Sequence, residues 1–374
     1  MQIYGRFTLF AACPMYLRTT FVKTKAFTTT MKKIVVLLLF IALFISCNND
    51  TDAPDVSNVY VAIKLERFDQ DFFAIDSNNI MPGLDKLNEK YPRLSTIFIG
   101  NILGLDQANM LPGIKRFLHQ NKPIYDSVNL VFKKADWLEY ELMKVLRYVK
   151  YYFPAYRLPQ KVITVVGPID ALAQTASGYS PDFLGWNFIG ISLQFYLGKD
   201  FSIYKDPFFI ENVAPEYRSR RFSKEYIIAD VMQLIVDDLF PDKSKNKSLI
   251  NQMLEKGKQW WLLDKFLPDA PDSIKTGYTK QQLDWCEENE GLIWSYLIRN
   301  ENLNSLDPTT IQTYIGEGPF TQGFSQELSP GNIGQWIGWR IIQKFADNNP
   351  DMKPEDVMKA DAKKILEEAK YKPK

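Results

Sequence analysis

The chain has 374 residues, 45 Lys and Arg against 44 Asp and Glu, three Cys, one His and 14% aromatics. So even a balance, with no basic stripe, gives no electrostatic footprint for nucleic acid. A single histidine excludes an HExxH peptidase or any zinc site with two imidazole ligands, and without a Walker loop or GxGxxG nucleotide binding has no support.

Met31-Lys32-Lys33 is followed by twelve apolar residues from Ile34 to Ile45, then Ser46-Cys47 and a polar run. A charged start, an apolar stretch well short of the roughly 20 residues of a spanning helix and a small residue before cysteine make a lipoprotein signal. Residues 31–46 are read as the signal peptide and Cys47 as the lipidated residue. Residues 1–30, which precede a complete signal and hold no acidic residue, are read as an extension ahead of a true start at Met31. Removing residues 1–46 strips six basic and no acidic residues, so the net charge falls from +1 to −5. With Cys47 lipidated, Cys286 is the one thiol left, which excludes an intramolecular disulfide. Residues 47–58 are polar and acidic without periodicity and read as a flexible tether.

The expected domain, residues 59–374, opens with Val59, Val61, Ile63 and Leu65 alternating with Tyr60, Ala62, Lys64 and Glu66, the period of a half-buried strand. Helical patterns follow to Tyr152, including one long stretch over 126–152. Residues 162–166 and 188–196 are β-branched or aromatic, end at Gly167-Pro168 and Gly198, and read as strands. Ser223 is placed to cap a helix whose Ile228, Val231, Met232, Ile235 and Leu239 share a face and which stops before Pro241. Further helices are predicted near 246–266, 279–300, 331–347 and 354–370. No internal repeat or linker interrupts them, so a single α+β domain is expected.

His119, placed at a helix end between Leu118 and Gln120, reads as a surface or satisfied residue, and no Gly-x-Ser-x-Gly elbow exists to use it. Cys286 lies beside Glu287 and Glu288, which oppose a thiolate, and is expected to be buried and structural. The carboxylates able to serve as acid and base are Asp230, Asp237, Asp238, Glu255, Glu287, Glu288, Glu317 and Glu327, although spacing alone brings no two of them together. Gly334 and Gly338 form a Gly-x-x-x-Gly pair on a presumed helix. Gln335, Arg340 and Lys344 exclude a membrane span there, so the pair implies close packing on a partner element, with Trp336 and Ile337 buried. The loop from Gly316 to Pro330 is the candidate cleft wall.

Cys47, the run Ile63-Lys64-Leu65-Glu66-Arg67-Phe68-Asp69-Gln70-Asp71-Phe72-Phe73, the helix from Tyr226 ending Asp-Asp-Leu-Phe-Pro, and residues 331–340 together resemble the GldB family of gliding motility lipoproteins of Bacteroidetes. The resemblance implies an envelope lipoprotein without established enzymatic activity, working with the gliding and type IX secretion machinery. The carboxy-terminal half is also similar to a family of predicted zinc peptidases with a helical HExxH, a downstream Glu-Gly segment and a final Gly-rich helix. That similarity puts Ala229 and Gln233 at the two histidines, Asp230 at the glutamate and Glu255 at the downstream acid. Both imidazoles are missing, so the metal and its activated water are not carried over.

Together these resemblances imply a helix-rich domain with a small β-sheet, a degenerate zincin-like fold lacking its metal ligands. A cleft around Asp230, Gln233 and Glu255 would be reused for binding. The expected protein is non-catalytic, has no cofactor, and meets a membrane through the lipid on Cys47 and envelope proteins of the gliding machinery. The alternatives are a metal-independent hydrolase of envelope peptide or glycan, and a module whose aromatics stack sugars.

Overall fold

A computed structural model describes residues 53–175, 178–300 and 302–374. The signal segment and Cys47 lie outside the described residues. Residues 54–374 form one compact unit. It starts a few residues before the boundary expected from composition, because Val56 is buried and its carbonyl accepts from the Val59 amide at 3.0 Å.

The unit is α+β, with a small mixed sheet inside a largely helical body. β1 (Lys64–Arg67), β2 (Lys161–Val165), β3 (Ala173–Thr175), β4 (Gly178–Ser180), β5 (Phe183–Leu184) and β6 (Phe188–Ser192) follow in chain order. The main sheet has the order β1-β2-β6-β5, and β3 and β4 form a separate hairpin. The first three strands of that order are parallel, and β5 closes the edge antiparallel to β6.

Every residue of β6, and all of β2 beyond Lys161, is buried, as expected of strands covered on both faces. Val162, Val166, Ile189 and Ile191 enter the larger core, whereas Ile163, Val165 and Phe188 enter a second core on the opposite face. The strand expected from Val59 is shorter than its alternation suggests. Val61 and Ile63 are buried, but the ladder begins only where β2 supplies a partner, at Lys64 opposite Lys161.

The run after β1 belongs to that second core. In α1 (Phe68–Phe73), Phe68 and Phe72 fall one turn apart and meet Phe98 at ring-centroid distances of 5.0 and 4.9 Å. Buried Asp69 accepts from Arg67 at 2.6 Å and from the Thr164 hydroxyl at 2.5 Å, which pins the strand-to-helix corner to the sheet. A buried charge is tolerable only with such partners.

The single helix expected over 126–152 is two, α2 (Met110–Val131) and α3 (Asp136–Tyr152). A tertiary contact breaks it: the Arg67 guanidinium donates to the Phe132 carbonyl at 2.9 Å, while Phe132 and Ala135 are buried in the turn. His119 is exposed in the middle of α2, not at a helix end.

Beyond residue 200 the body is helical. α4 (Ile227–Leu239) stops before Pro241 as predicted, but the Ser223 side chain caps nothing. A 3-10 turn, Lys224–Tyr226, intervenes, and Ser223 instead bridges to Leu197. The helix expected over 279–300 breaks at Asn289 into Lys280–Glu288 and Glu290–Asn300. The one expected over 354–370 breaks where Asp361 caps a new helix by accepting from the Lys364 amide at 2.9 Å.

The centre of this part is the crossing of α5 (Leu249–Phe266) with α7 (Ile333–Asp347), while α6 (Pro308–Ile315) packs alongside. A Cβ on Gly338 would lie 1.8 Å from the Met253 carbonyl oxygen, and one on Gly257 would lie 2.2 Å from the Gly338 carbonyl carbon. The predicted close packing of the Gly334/Gly338 face is thus backbone against backbone, with α5 as the partner at Gly338 and the Tyr314 carbonyl of α6 at Gly334, and Trp336 and Ile337 are buried as expected. Cys286 is fully buried, and burial, then Glu287 and Glu290, push its thiol well up, away from reactivity.

Candidate binding cleft

A cavity of about 400 Å³ opens between α4, α5, α6, the β3–β4 hairpin and the turn at Gly316-Glu317. One face of α4 supplies Ala229, Asp230, Gln233 and Asp237, which the helical repeat of three and four places in a row. From α5 come Gln252 and Lys256, one turn apart. Glu255 is not in the wall. Its carboxylate turns aside and accepts from the buried Lys258 ammonium at 2.7 Å, because it sits about 100° round the helix from Lys256. Of the cleft residues expected from the sequence, the fold therefore brings Asp230 and Gln233 together and leaves Glu255 out.

The other candidate carboxylates divide the same way. Asp237 lines the cavity and accepts from the Gln233 amide at 3.0 Å. Glu317, in the predicted cleft-wall loop, also lines it. Asp238 instead accepts from Tyr156 at 2.7 Å, and Glu287, Glu288 and Glu327 are exposed elsewhere.

The cations of the wall each meet a carboxylate. Arg218 donates to Glu317 at 2.5 Å through Nη2 and 3.0 Å through Nε, and Arg221 reaches the other carboxylate oxygen at 3.4 Å. Burial pushes the Glu317 carboxyl up, but Arg221 and Arg218 together hold it below the usual range. Lys256 pairs with Asp242 at 3.0 Å, and Lys275 with Asp264 at 2.6 Å. Arg218 also lies over the Tyr179 ring, 4.8 Å from its centroid. The fork of two guanidiniums thereby ties the 316–318 turn to the hairpin side of the cleft.

Behind Asp230 lies a feature with no signal in the sequence. The Tyr196 hydroxyl is 2.6 Å from Oδ2 of Asp182 and 2.9 Å from Oδ2 of Asp230. Asp182 is fully buried, and its second oxygen accepts from the Ser192 amide at 3.0 Å. A phenol has one proton and can donate to only one carboxylate. Two buried carboxyls around one phenolic proton favour keeping a further proton on one of them.

Electrostatics assigns the extra proton to the deeper acid. Burial raises the Asp182 carboxyl to about 8 against the hydrogen bonds from Tyr196 and Ser192, with the neighbouring Asp230 charge raising it further. Asp230 is raised to about 6, burial outweighing Arg221 and the Tyr196 hydrogen bond. Protonated Asp182 donates to Tyr196, and Tyr196 donates to Asp230 at the cleft.

Between these groups the wall carries carboxamides, from Gln233, Gln252, Gln312, Asn332 and Gln335, with Tyr226 and Trp260 as apolar faces. Asn332, at φ 46°, donates to the Gln335 side chain at 3.0 Å, and Gln335 donates to the Lys256 carbonyl at 3.3 Å. Carboxamides both donate and accept, so such a wall suits peptide groups or sugar hydroxyls. Among the described residues no group of three or more His, Cys, Asp and Glu is placed to hold a metal ion, and no helix is long and apolar enough to cross a membrane.

Comparison with curated proteins and with solved structures finds no match. The family model described as gliding motility protein GldB matches residues 49–373, which takes in every strand and helix above. The chain therefore belongs to the gliding motility protein GldB family.

Proposed function

We propose that this protein serves gliding motility as a non-catalytic lipoprotein of the cell envelope, held at a membrane by lipid on Cys47. It binds or assembles components of the gliding and secretion apparatus. The supporting observation is the cleft itself: a cavity of about 400 Å³ walled by carboxamides and aromatic faces, with its cations paired to carboxylates. Such a surface recognises an uncharged polar segment, peptide or glycan, of a partner. Ala229 and Gln233, one turn apart on the same wall, are compatible with a cleft derived from a metallopeptidase and reused for binding.

Substitution in cells tests the reading. Gln233→Ala and Gln335→Ala are expected to reduce motility severalfold at unchanged protein level, while Glu255→Gln, outside the cleft, leaves it intact. Full motility in both cleft variants would overturn the binding role. Cys47→Ala is expected to leave the chain unlipidated and uncut, read by its mass; a chain processed and membrane-bound as before would overturn the anchor.

The proton shared by Asp182, Tyr196 and Asp230 favours a second reading, a carboxylate-based hydrolase of envelope peptide or glycan in which Asp230 is the acid–base group. The two readings separate on Asp230→Asn. An asparagine still accepts from Tyr196 and preserves binding, so motility survives under the first reading and is lost under the second.

A further inference from the structure

The end of the main sheet opposite the cleft carries a second cluster. Asp182 sits at the end of β6, where the Ser192 amide reaches it, and β5 then runs back to a turn at Gly185-Trp186-Asn187 beside the start of β6. The parallel strands all begin at that end, with Lys64 opposite Lys161 and Lys161 opposite Phe188. Trp186 is 62% exposed there, and the guanidiniums of Arg93 and Arg157 lie 4.7 and 4.2 Å from its ring centroid.

Both arginines are exposed, and among the described residues neither has a carboxylate within ion-pair distance. Lys90 and Lys161 beside them are paired, with Asp71 and Glu66. Next to the ring an apolar slot of about 230 Å³ is walled by Tyr91, Leu94, Ile163 and Phe188.

The chain enters the compact unit at the same end of the strands. α3 runs antiparallel to β1, since Phe132, just before the helix, accepts from Arg67 while Glu139 accepts from the Leu65 amide at 2.8 Å. The later half of α3 therefore lies toward the start of β1, and Asp55 is within electrostatic reach of Tyr148 there. Tyr60, four residues before β1, is 86% exposed.

A largely exposed indole beside an apolar slot, flanked by arginines without counter-ions among the described residues, is the chemistry of a bilayer interface. Tryptophan settles at the level of the headgroups, and guanidinium forks match phosphate. We propose that this end of the sheet is a membrane-docking face that binds anionic phospholipid headgroups through Arg93 and Arg157 with Trp186 among them. The cleft, at the other end of the same strands, then faces away from the bilayer. The proposal shares the membrane with the lipid-anchor reading but not the anchor, and the experiment separates the two.

The processed full chain is added to vesicles of phosphatidylcholine alone or mixed with phosphatidylglycerol, each carrying bromine-labelled lipid. Quenching due to Trp186 is read as the difference between the chain and its Trp186→Phe variant. The expected result is strong Trp186 quenching in the mixed vesicles, weak in the neutral ones and diminished by salt. Arg93→Gln with Arg157→Gln should lower the ratio of docked to undocked chain roughly thirtyfold, equivalent to about 1 kcal/mol for each cation at an anionic surface. Equal quenching in both lipids, none from Trp186, or none lost in the double variant would each overturn the proposal. Failure of the anchor shows separately, as chain that does not sediment with neutral vesicles, while the docking is still read in the anionic ones.

Discussion

Gly338→Ala is expected to destabilise the protein by about 3 kcal/mol or more, the upper end for overpacking a filled interior. A Cβ there would lie 1.8 Å from the Met253 carbonyl oxygen. That obstacle is backbone inside α5, so no rotamer change relieves it and the two helices must separate. Separation disturbs Trp260 against Trp339, whose centroids are 6.0 Å apart, and the 2.7 Å hydrogen bond from the Trp339 indole to Asp264. The gain in helix propensity on replacing glycine with alanine, up to about 1 kcal/mol, does not offset this. Urea unfolding followed by circular dichroism checks it; a midpoint at or above wild type would show that the crossing can yield. Gly100→Ala is the control, since a Cβ there meets nothing within 4 Å.

The second large effect is a dependence of stability on pH set by Asp182. Its carboxyl is raised to about 8 in the folded protein, so the folded state holds a proton that the unfolded chain releases near the ordinary carboxylate range. Stability from this group is complete below that range and is lost as pH rises towards about 8, the reverse of an ion-paired aspartate. Each tenfold difference in proton affinity is worth about 1.4 kcal/mol, so wild type should lose about 2 kcal/mol or more between mildly acidic and mildly alkaline solution.

Asp182→Asn should flatten the profile. The amide donates to Tyr196 as the protonated acid does, while its oxygen keeps the bond from the Ser192 amide at 3.0 Å. Above about pH 8 the variant is expected to be at least as stable as wild type. Urea midpoints across this range are the measurement; a wild-type profile that rises with pH, or a variant profile of unchanged slope, would mean that the pair holds no extra proton.

Local pattern and tertiary contact divided the fold between them. β2 and α4 were legible because a β-branched run and an apolar stripe of period 3.6 each describe one element. Breaks at Phe132 and Asn289 were not, since the periodicity carries on through them. Arg67, distant in sequence, fixes the first by its hydrogen bond to the Phe132 carbonyl at 2.9 Å. In the cleft, Asp230 and Gln233 could be read because they share a helix face. Glu255 was misplaced for want of one residue of register. Asp182 and Tyr196 gave no signal, because neither lies in a motif and their proximity arises only when β5 folds back along β6.

By itself the sequence determined what is covalent or local. It limited the chain to one histidine and three cysteines, which bars an HExxH zinc site, and it set the helical stripes and the glycine pair. It also carried the residues by which the family is recognised. Only the tertiary structure decided which charges neutralise one another, which carboxyl burial raises most and which arginines meet no carboxylate among the described residues. Those properties depend on burial and on distances of a few ångströms between residues far apart in the chain, and proton affinity follows the surroundings of a group rather than its neighbours in sequence.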